Sequence, residues 1–416
     1  MRLTRRFFLK SSGIALVGLG AVPSFLARAA AAISTRGKTL VVIFQRGAAD
    51  GLNIVVPHAE KGYYSLRPSI AIPRPKKGDE QAALDLDGTF GFHPVLQPFK
   101  QLYDEKLLAV VHACGSPDST RSHFDAQDFM ESGTPGLKST ADGWLNRYLQ
   151  SAPAEKPSAF RGVSLTSQLP RILQGTAPAL AIPNVSRFGI EAGRYTDTVQ
   201  GGLESLYAAS GDKLLTPTAK ETFEAVELLK RVNPAQYSPA NGASYPPGPF
   251  GQTMLQVAQL IKSNIGVEIV FAEVGGWDHH VNEGGAQGQL ANLLRQFGGG
   301  VSALVRDLGD RMQDTVIVTL SEFGRTAAEN GNRGTDHGHA NALFVLGGPV
   351  AGGRMYGQWP GLDRGELFEG RDVALTTDFR DVLGEVLVHH LGASDLKSVF
   401  PRYDARPDKF RRFLRG

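Results

Sequence analysis

This chain can form no internal disulfide, whatever its redox compartment, because one residue of its 416 is cysteine. That residue, Cys114, follows the apolar run 107–111 and reads as a buried structural thiol. An excess of one charge is missing too. The formal net charge is +3, but five basic residues and no acid (Arg2, Arg5, Arg6, Lys10 and Arg28) lie in the first 32, which leaves −2 for the rest. A near-neutral body argues against general nucleic-acid binding, which needs a basic face to release counterions. Neither a GxxxxGK[ST] phosphate loop nor a GxGxxG after the first strand pattern is present, so the common nucleotide-binding signatures are excluded. A membrane span needs roughly 20 apolar residues. The run from about residue 13 to 26 is shorter and contains Gly13, Gly18, Gly20 and Pro23.

What is present begins with that run. A basic start, an apolar stretch and a small-residue region with Ala27-Arg28-Ala29 form a signal peptide over residues 1–32. Arg5-Arg6, followed by Phe8, Leu9 and Lys10, resembles the twin-arginine signal. It implies the twin-arginine translocation machinery as a partner, a periplasmic or otherwise exported protein, and no stable transmembrane helix in the mature chain. An ordinary secretory signal or an anchored N-terminus is the plainer alternative.

Beyond the signal, apolar runs of strand length alternate with helical patterns. The runs 39–44 (TLVVIF), 107–111, 267–271, 315–319 and 342–346 read as strands buried on both faces, as in a parallel sheet. Helical patterns cover 95–103, 124–130, 144–149, 218–232, 253–264, 289–308 and 379–391. This alternation predicts an α/β fold with a doubly wound, mostly parallel sheet flanked by helices, in one domain spanning 38–416. Residues 60–89 read as an excursion over the surface and 233–251 as a Pro/Gly-rich connector. The basic tail 402–415 reads as a solvated last helix, and His389-His390 as surface or helix-dipole partners. His58, His93 and His112 read as structural, and Trp277 as a packing or pocket-wall residue.

Ligands of open α/β sheets bind beyond the carboxyl ends of the strands. The residues just beyond each apolar run are therefore the informative ones. Asp50 and Asn53 follow the first, and Arg121, Ser122 and His123 the second. Asp278, His279 and His280 follow the third, and Glu322, Arg325, Asp336, His337 and His339 the fourth. Carboxylates with neutral imidazoles are ligands for divalent metals without any thiolate. The metal candidates are Asp50, Asp278, His280, Glu322, Asp336, His337 and His339. The catalytic candidates are Ser122, Arg121, His123 and Arg325. Ser122 would open a helix, where free N–H groups favour an anion and a serine can act as nucleophile. Arg121 or Arg325 could grip substrate oxyanions with two parallel bonds. Taken singly, Ser122 reads first as an N-cap ahead of Asp125, Asp50-Gly51 as a turn, and Asp336–His339 as an ordinary loop. The signal is the coincidence of four clusters after four strands.

RGAADGLNIVVP, RSHFDAQDFMESG, GGWDHH, LSEFGRT and GTDHGHANALFVLGG together resemble the bacterial family called domain of unknown function 1501. The resemblance runs from about residue 38 almost to the C-terminus. That family is similar to the alkaline-phosphatase-like superfamily of phosphatases and sulfatases. The resemblance implies an alkaline-phosphatase-like fold with loop insertions, with Asp50 as a first-strand metal ligand and Ser122 as nucleophile. It makes Asp278 and His280 a ligand pair and His339 the last metal histidine. The superfamily carries Asp-His-Gly where this chain has Ser321-Glu322-Phe323-Gly324-Arg325, and Phe323 cannot ligate a metal. The expected function is a metal-dependent hydrolase of small-molecule or glycan phosphate or sulfate esters, using zinc, manganese, magnesium or calcium. The alternative is a non-catalytic protein that keeps the fold and binds an envelope partner.

Overall fold

The computed structural model describes residues 37–152, 160–187 and 236–415. The stretch 1–32 read as an export signal, the helical pattern 218–232 and residues 233–235 of the connector lie outside them. No helix among the described residues is long and apolar enough to cross a membrane.

The run TLVVIFQ forms β1 (Thr39–Gln45), buried along its whole length. Its β-branched and aromatic side chains suit a pleated surface covered on both faces. Around it the chain builds β2 (Val55–Val56), β3 (Leu84–Asp85), β4 (Gly91–Phe92), β5 (Leu108–Gly115), β6 (Gly162–Ser164) and β7 (Leu180–Ala181). The later strands are β8 (Ile269–Val274), β9 (Thr315–Ser321), β10 (Asn341–Gly347), β11 (Arg354–Tyr356) and β12 (Thr377–Asp378). The main sheet has the order β11-β5-β10-β9-β1-β8-β6-β7, with β12 beside the end of β5, while β2, β4 and β3 form a small separate sheet. β1 pairs in parallel with β8 and β9, and β10 runs antiparallel to both β9 and β5. The sheet is therefore mixed but mostly parallel, and flanked by helices.

The two-residue period of β1 assigns its side chains to two cores. Val41 and Ile43 join Phe99, Met254, Leu294 and Phe297, from helices Gln97–Asp104, Pro249–Lys262 and Gln289–Leu308. Leu40, Val42 and Phe44 join Trp144, Tyr148, Phe379 and Leu383, from helices Trp144–Ser151 and Phe379–Glu385. Trp277 is fully buried in the first core and Cys114 is buried in the second.

Three sequence expectations need correction. Residues 60–89 are not only a surface excursion, since Tyr63, Arg67, Ile70 and Ile72 within them are buried. The tail is not a solvated helix. Phe410 and Phe413 are buried and Leu414 bridges to Val350, so two aromatic anchors hold it to the body. His390 is not on the surface either. Its Nε2 lies 3.0 Å from the Thr39 carbonyl, and burial holds its pKa down to about 4.

Candidate metal centre

Because β10 runs antiparallel to β9, the loop between them begins and ends at the carboxyl edge of the parallel strands. Three polar segments meet there. The segment after β5 enters the helix His123–Ser132 through Ser122, whose Oγ caps it by accepting from the Asp125 N–H at 3.5 Å. This places His123 at the first helical position. The segment after β8 is anchored by Trp277, whose indole N–H donates to the Val274 carbonyl at 3.0 Å, and it carries Asp278 and His280. The β9–β10 loop brings His337 into a bridge with Arg325. Gly338 is needed for that bridge, because a Cβ there would stand 2.4 Å from the Arg325 carbonyl.

Three imidazoles converge. Nε2 of His337 lies 3.0 Å from Nε2 of His123 and 3.0 Å from Nε2 of His280. The Asp278 carboxylate closes the group, 2.9 Å from His280 Nε2, 3.3 Å from His337 Nε2 and 3.5 Å from His123 Nε2. One ligand atom each of His123, Asp278 and His337 falls within 4.8 Å of the others.

The opposite ring nitrogens explain why the Nε2 atoms are available. Nδ1 of His123 faces Glu322 Oε1 at 2.8 Å, Nδ1 of His280 faces Asp336 Oδ1 at 3.1 Å, and Nδ1 of His337 faces the Arg121 carbonyl at 2.8 Å. An acceptor at Nδ1 favours the tautomer with its proton there and a lone pair on Nε2, although the Asp278 carboxylate also accepts at His280 Nε2 and the carboxylates around His123 raise its pKa. Such pairs 3.0 Å apart repel unless a cation or a proton lies between them. Ligand atoms around a tetrahedral zinc with bonds of about 2.0–2.1 Å stand about 3.3 Å apart. The observed spacings bracket that value, so His123, Asp278 and His337 fit a divalent ion, with His280 beside His337 and Asp278. The outer acceptors are the groups that orient metal-binding histidines.

Glu322 is held in turn. Oε1 accepts from Gln127 Nε2 and from the Gly47 N–H, both at 2.8 Å, and Gln127 accepts from Arg46 at 3.0 Å. Gln127 lies four residues after His123, on the same helix face. Burial would raise the pKa of Glu322, but the hydrogen bonds from His123, Gln127 and Gly47 outweigh it and keep the carboxyl ionised. At Asp278, likewise, burial is outweighed by Arg325, which donates from Nη1 at 2.6 Å, and by the neighbouring histidines. Phe323 forms an apolar wall, its ring centroid 5.0 Å from His123 and 5.1 Å from His337.

Of the residues singled out from sequence, the structure therefore brings together Asp278, His280 and His337, joined by His123. Glu322 and Asp336 stand behind two of the histidines, and Arg325 is buried against Asp278 and Thr335. The others lie apart from this group. Arg121 directs its guanidinium to Asp372 and Glu369, both at 2.6 Å, and offers the centre its carbonyl. His339 is buried and stacks on Phe368 with centroids 4.4 Å apart. Both oxygens of Asp50 accept from Arg67. Sequence reasoning passed over Gln127, Arg46, Arg67, Glu283 and Asn330, the last donating to Asp336 at 3.0 Å. Of these, Gln127 left a legible signal, its helical spacing from His123.

Glu283 is buried beside Asp50. Its Oε2 accepts from the Thr335 hydroxyl at 2.8 Å, and no donor reaches Oε1. Burial first, then the charge of Asp50, push its pKa well above the usual carboxyl range. A carboxyl raised in the folded state contributes stability below its unfolded pKa, near about 4.3, and loses it as pH rises through the folded pKa. Glu283→Gln should therefore flatten the fall of Tm as pH rises above the ordinary carboxyl range. Equal slopes for variant and wild type would mean that Glu283 is already ionised.

Fold and site together define an α/β protein with a histidine–carboxylate centre at the carboxyl edge of its sheet. The chain belongs to the family described as Protein of unknown function (DUF1501), whose model matches residues 108–405. No curated protein matches the sequence. Solved structures similar to it are of the alkaline phosphatase and sulfatase kind. The C-terminal periplasmic domain of EcEptC from Escherichia coli, in complex with Zn, is 12% identical, with 76% of this chain and 74% of that one covered at a TM-score of 0.36. A mutant of the alkaline phosphatase PafA is 11% identical, with 74% and 64% covered at 0.34. The PsFucS1 sulfatase from Pseudoalteromonas sp. is 11% identical, with 80% and 68% covered at 0.34. At such scores the chemistry rests on this chain's own residues.

Proposed function

We propose that the protein is an exported, metal-dependent hydrolase of phosphate or sulfate esters. The observation that carries this reading is the group of His123, Asp278 and His337, with His280 against His337 and Asp278 and each ring's Nδ1 facing an acceptor. Three nitrogens and one carboxylate suit zinc better than magnesium or calcium, which prefer all-oxygen shells. A divalent ion held by His123, Asp278, His280 and His337 would supply Lewis-acid stabilisation of charge on the ester oxygens.

The chain's own groups do the rest. Glu322, Asp336 and the Arg121 carbonyl keep each Nδ1 protonated and the rings aimed. Ser122 Oγ is exposed at the helix N-terminus, next in sequence to His123, and its one bond, from Asp125, is long. Its hydroxyl proton is uncommitted, so Ser122 supplies the attacking oxygen. The first-turn N–H groups and the helix dipole favour the anionic group beside it. Phe124 and Val281, 89% and 51% exposed, come directly after His123 and His280 and give the mouth an apolar border for the organic part of the ester.

Ser122→Ala should lower turnover of an aryl phosphate or aryl sulfate by about a thousandfold or more, as loss of a nucleophile does, with bound metal unchanged. Unchanged turnover would pass the attack to water, whereas absence of both metal and turnover in the wild type would end the hydrolase reading. The binding-protein alternative draws on two observations: Ser122 already caps a helix, and the Arg121 guanidinium is already paired. Metal without turnover, together with retention of a glycan or envelope fragment, would favour it. Export by the twin-arginine route is part of the proposal, since that route carries folded proteins. Replacing Arg5 and Arg6 together by lysine should leave the protein in the cytoplasm, read by cell fractionation. Undiminished export would point to the ordinary secretory path.

A further inference from the structure

Asp50 lies just beyond β1, where the resemblance to phosphatases and sulfatases would make it a metal ligand, but it already holds a cation. Arg67 is fully buried and engages Asp50 through both carboxylate oxygens, Nη1 to Oδ2 at 2.5 Å and Nη2 to Oδ1 at 2.9 Å. Nη1 also donates to Asn53 Oδ1 at 2.8 Å, Nη2 to the Thr326 carbonyl at 2.9 Å and Nε to the Ala327 carbonyl at 2.9 Å. A guanidinium has five N–H donors, and all five are satisfied. Asn53 is itself fixed by the Tyr63 hydroxyl, which donates to Oδ1 at 2.7 Å. The buried guanidinium therefore has its counter-charge in Asp50 and every one of its donors matched.

A divalent ion at Asp50 would have to displace the guanidinium and leave it buried without its counter-charge, among the least favourable states in a protein interior. The histidine cluster differs, since ring nitrogens of His123, His280 and His337 face one another and the Asp278 carboxylate at 2.9–3.5 Å with no arginine or lysine among those contacts. We infer that the centre takes one divalent ion per chain, held by His123, Asp278, His280 and His337, and that Arg67 is the permanent cation at Asp50 where a second ion would otherwise sit. This rests on the cluster being a metal centre and adds its stoichiometry. Asp50 is then a positioning residue: it holds Arg67, and through it the Thr326 and Ala327 carbonyls of the loop after Arg325.

The test is a zinc titration of metal-stripped full-length protein against a weak competing chelator, with ions per chain counted by native mass spectrometry. The expected count is one. It should stay at one in Asp50→Asn, checked as folded by circular dichroism, and fall to zero in His337→Ala. Two ions per wild-type chain, or loss of the ion from folded Asp50→Asn, would overturn the inference while leaving the metal centre standing. No ion in the wild type would remove the metal centre itself. The wild-type count decides the matter even if Asp50→Asn folds poorly.

Discussion

Stripping divalent ions from the protein should lower its melting temperature by roughly 5 °C or more, and zinc should restore it. A ligand bound by the native state alone stabilises it by about 2.7 kcal/mol at a concentration a hundredfold above Kd. In a chain of this size each kcal/mol moves the midpoint by roughly 2 °C. The gain should be large here because the ion relieves a native-state conflict as well as adding contacts. His337 Nε2 faces two other ring nitrogens at 3.0 Å, and the fold holds all three rings from behind. Glu322→Ala should weaken zinc affinity about 10–100-fold, as loss of an orienting partner does, with the ligands themselves intact. His337→Ala should abolish the chelator effect, since its ring is shared by both short contacts. A melting curve identical with zinc and with chelator would mean that the imidazoles meet around a proton and that no ion stabilises the fold.

The second large effect is at Asp50. Asp50→Ala should destabilise the protein by about 3–5 kcal/mol, because it leaves the Arg67 charge buried and unpaired. Burial acts to raise the pKa of Asp50, but the charge and hydrogen bonds of Arg67 overcome it, and the carboxyl titrates below its ordinary range. Linkage sets the sign. A depressed carboxylate contributes stability above its unfolded pKa, near about 3.9, and loses it as pH falls through the folded value. The wild type's margin over Asp50→Ala should therefore be full at neutral pH and vanish in strong acid. Pairing the change with Arg67→Met should recover part of the loss, since removing both charges relieves the desolvation penalty. Urea denaturation of the four proteins in this cycle measures it. Additive losses would show that the two residues act independently and that the pair is not the organising contact.

Much of the architecture is legible along the chain. The run TLVVIFQ could only be a strand covered on both faces, and the helix Gln289–Leu308 matches the extent of its apolar period. The clustering of polar residues after β1, β5, β8 and β9 comes from parallel topology, which needs only local patterns to infer. Asp278, His280 and His337 were visible as ligand candidates for that reason. The antiparallel course of β10 left no mark, because an apolar run reads the same in both directions.

The roles within the site depended on contacts between distant segments. Composition cannot say whether a histidine faces other imidazoles or a phenylalanine, and His337 and His339, two residues apart, do one each. Nor could it show that Arg67, from a stretch rich in proline, lysine and glycine, would enter the interior and hold Asp50. The sequence by itself determined the layered fold, the single unpaired thiol and the edge at which polar groups would gather, since these depend on periodicity and composition. Only the tertiary structure decided which carboxylates face imidazoles and which face a guanidinium. That choice is set by packing between segments 260 positions apart, as Arg67 and Ala327 are, and no local pattern encodes it.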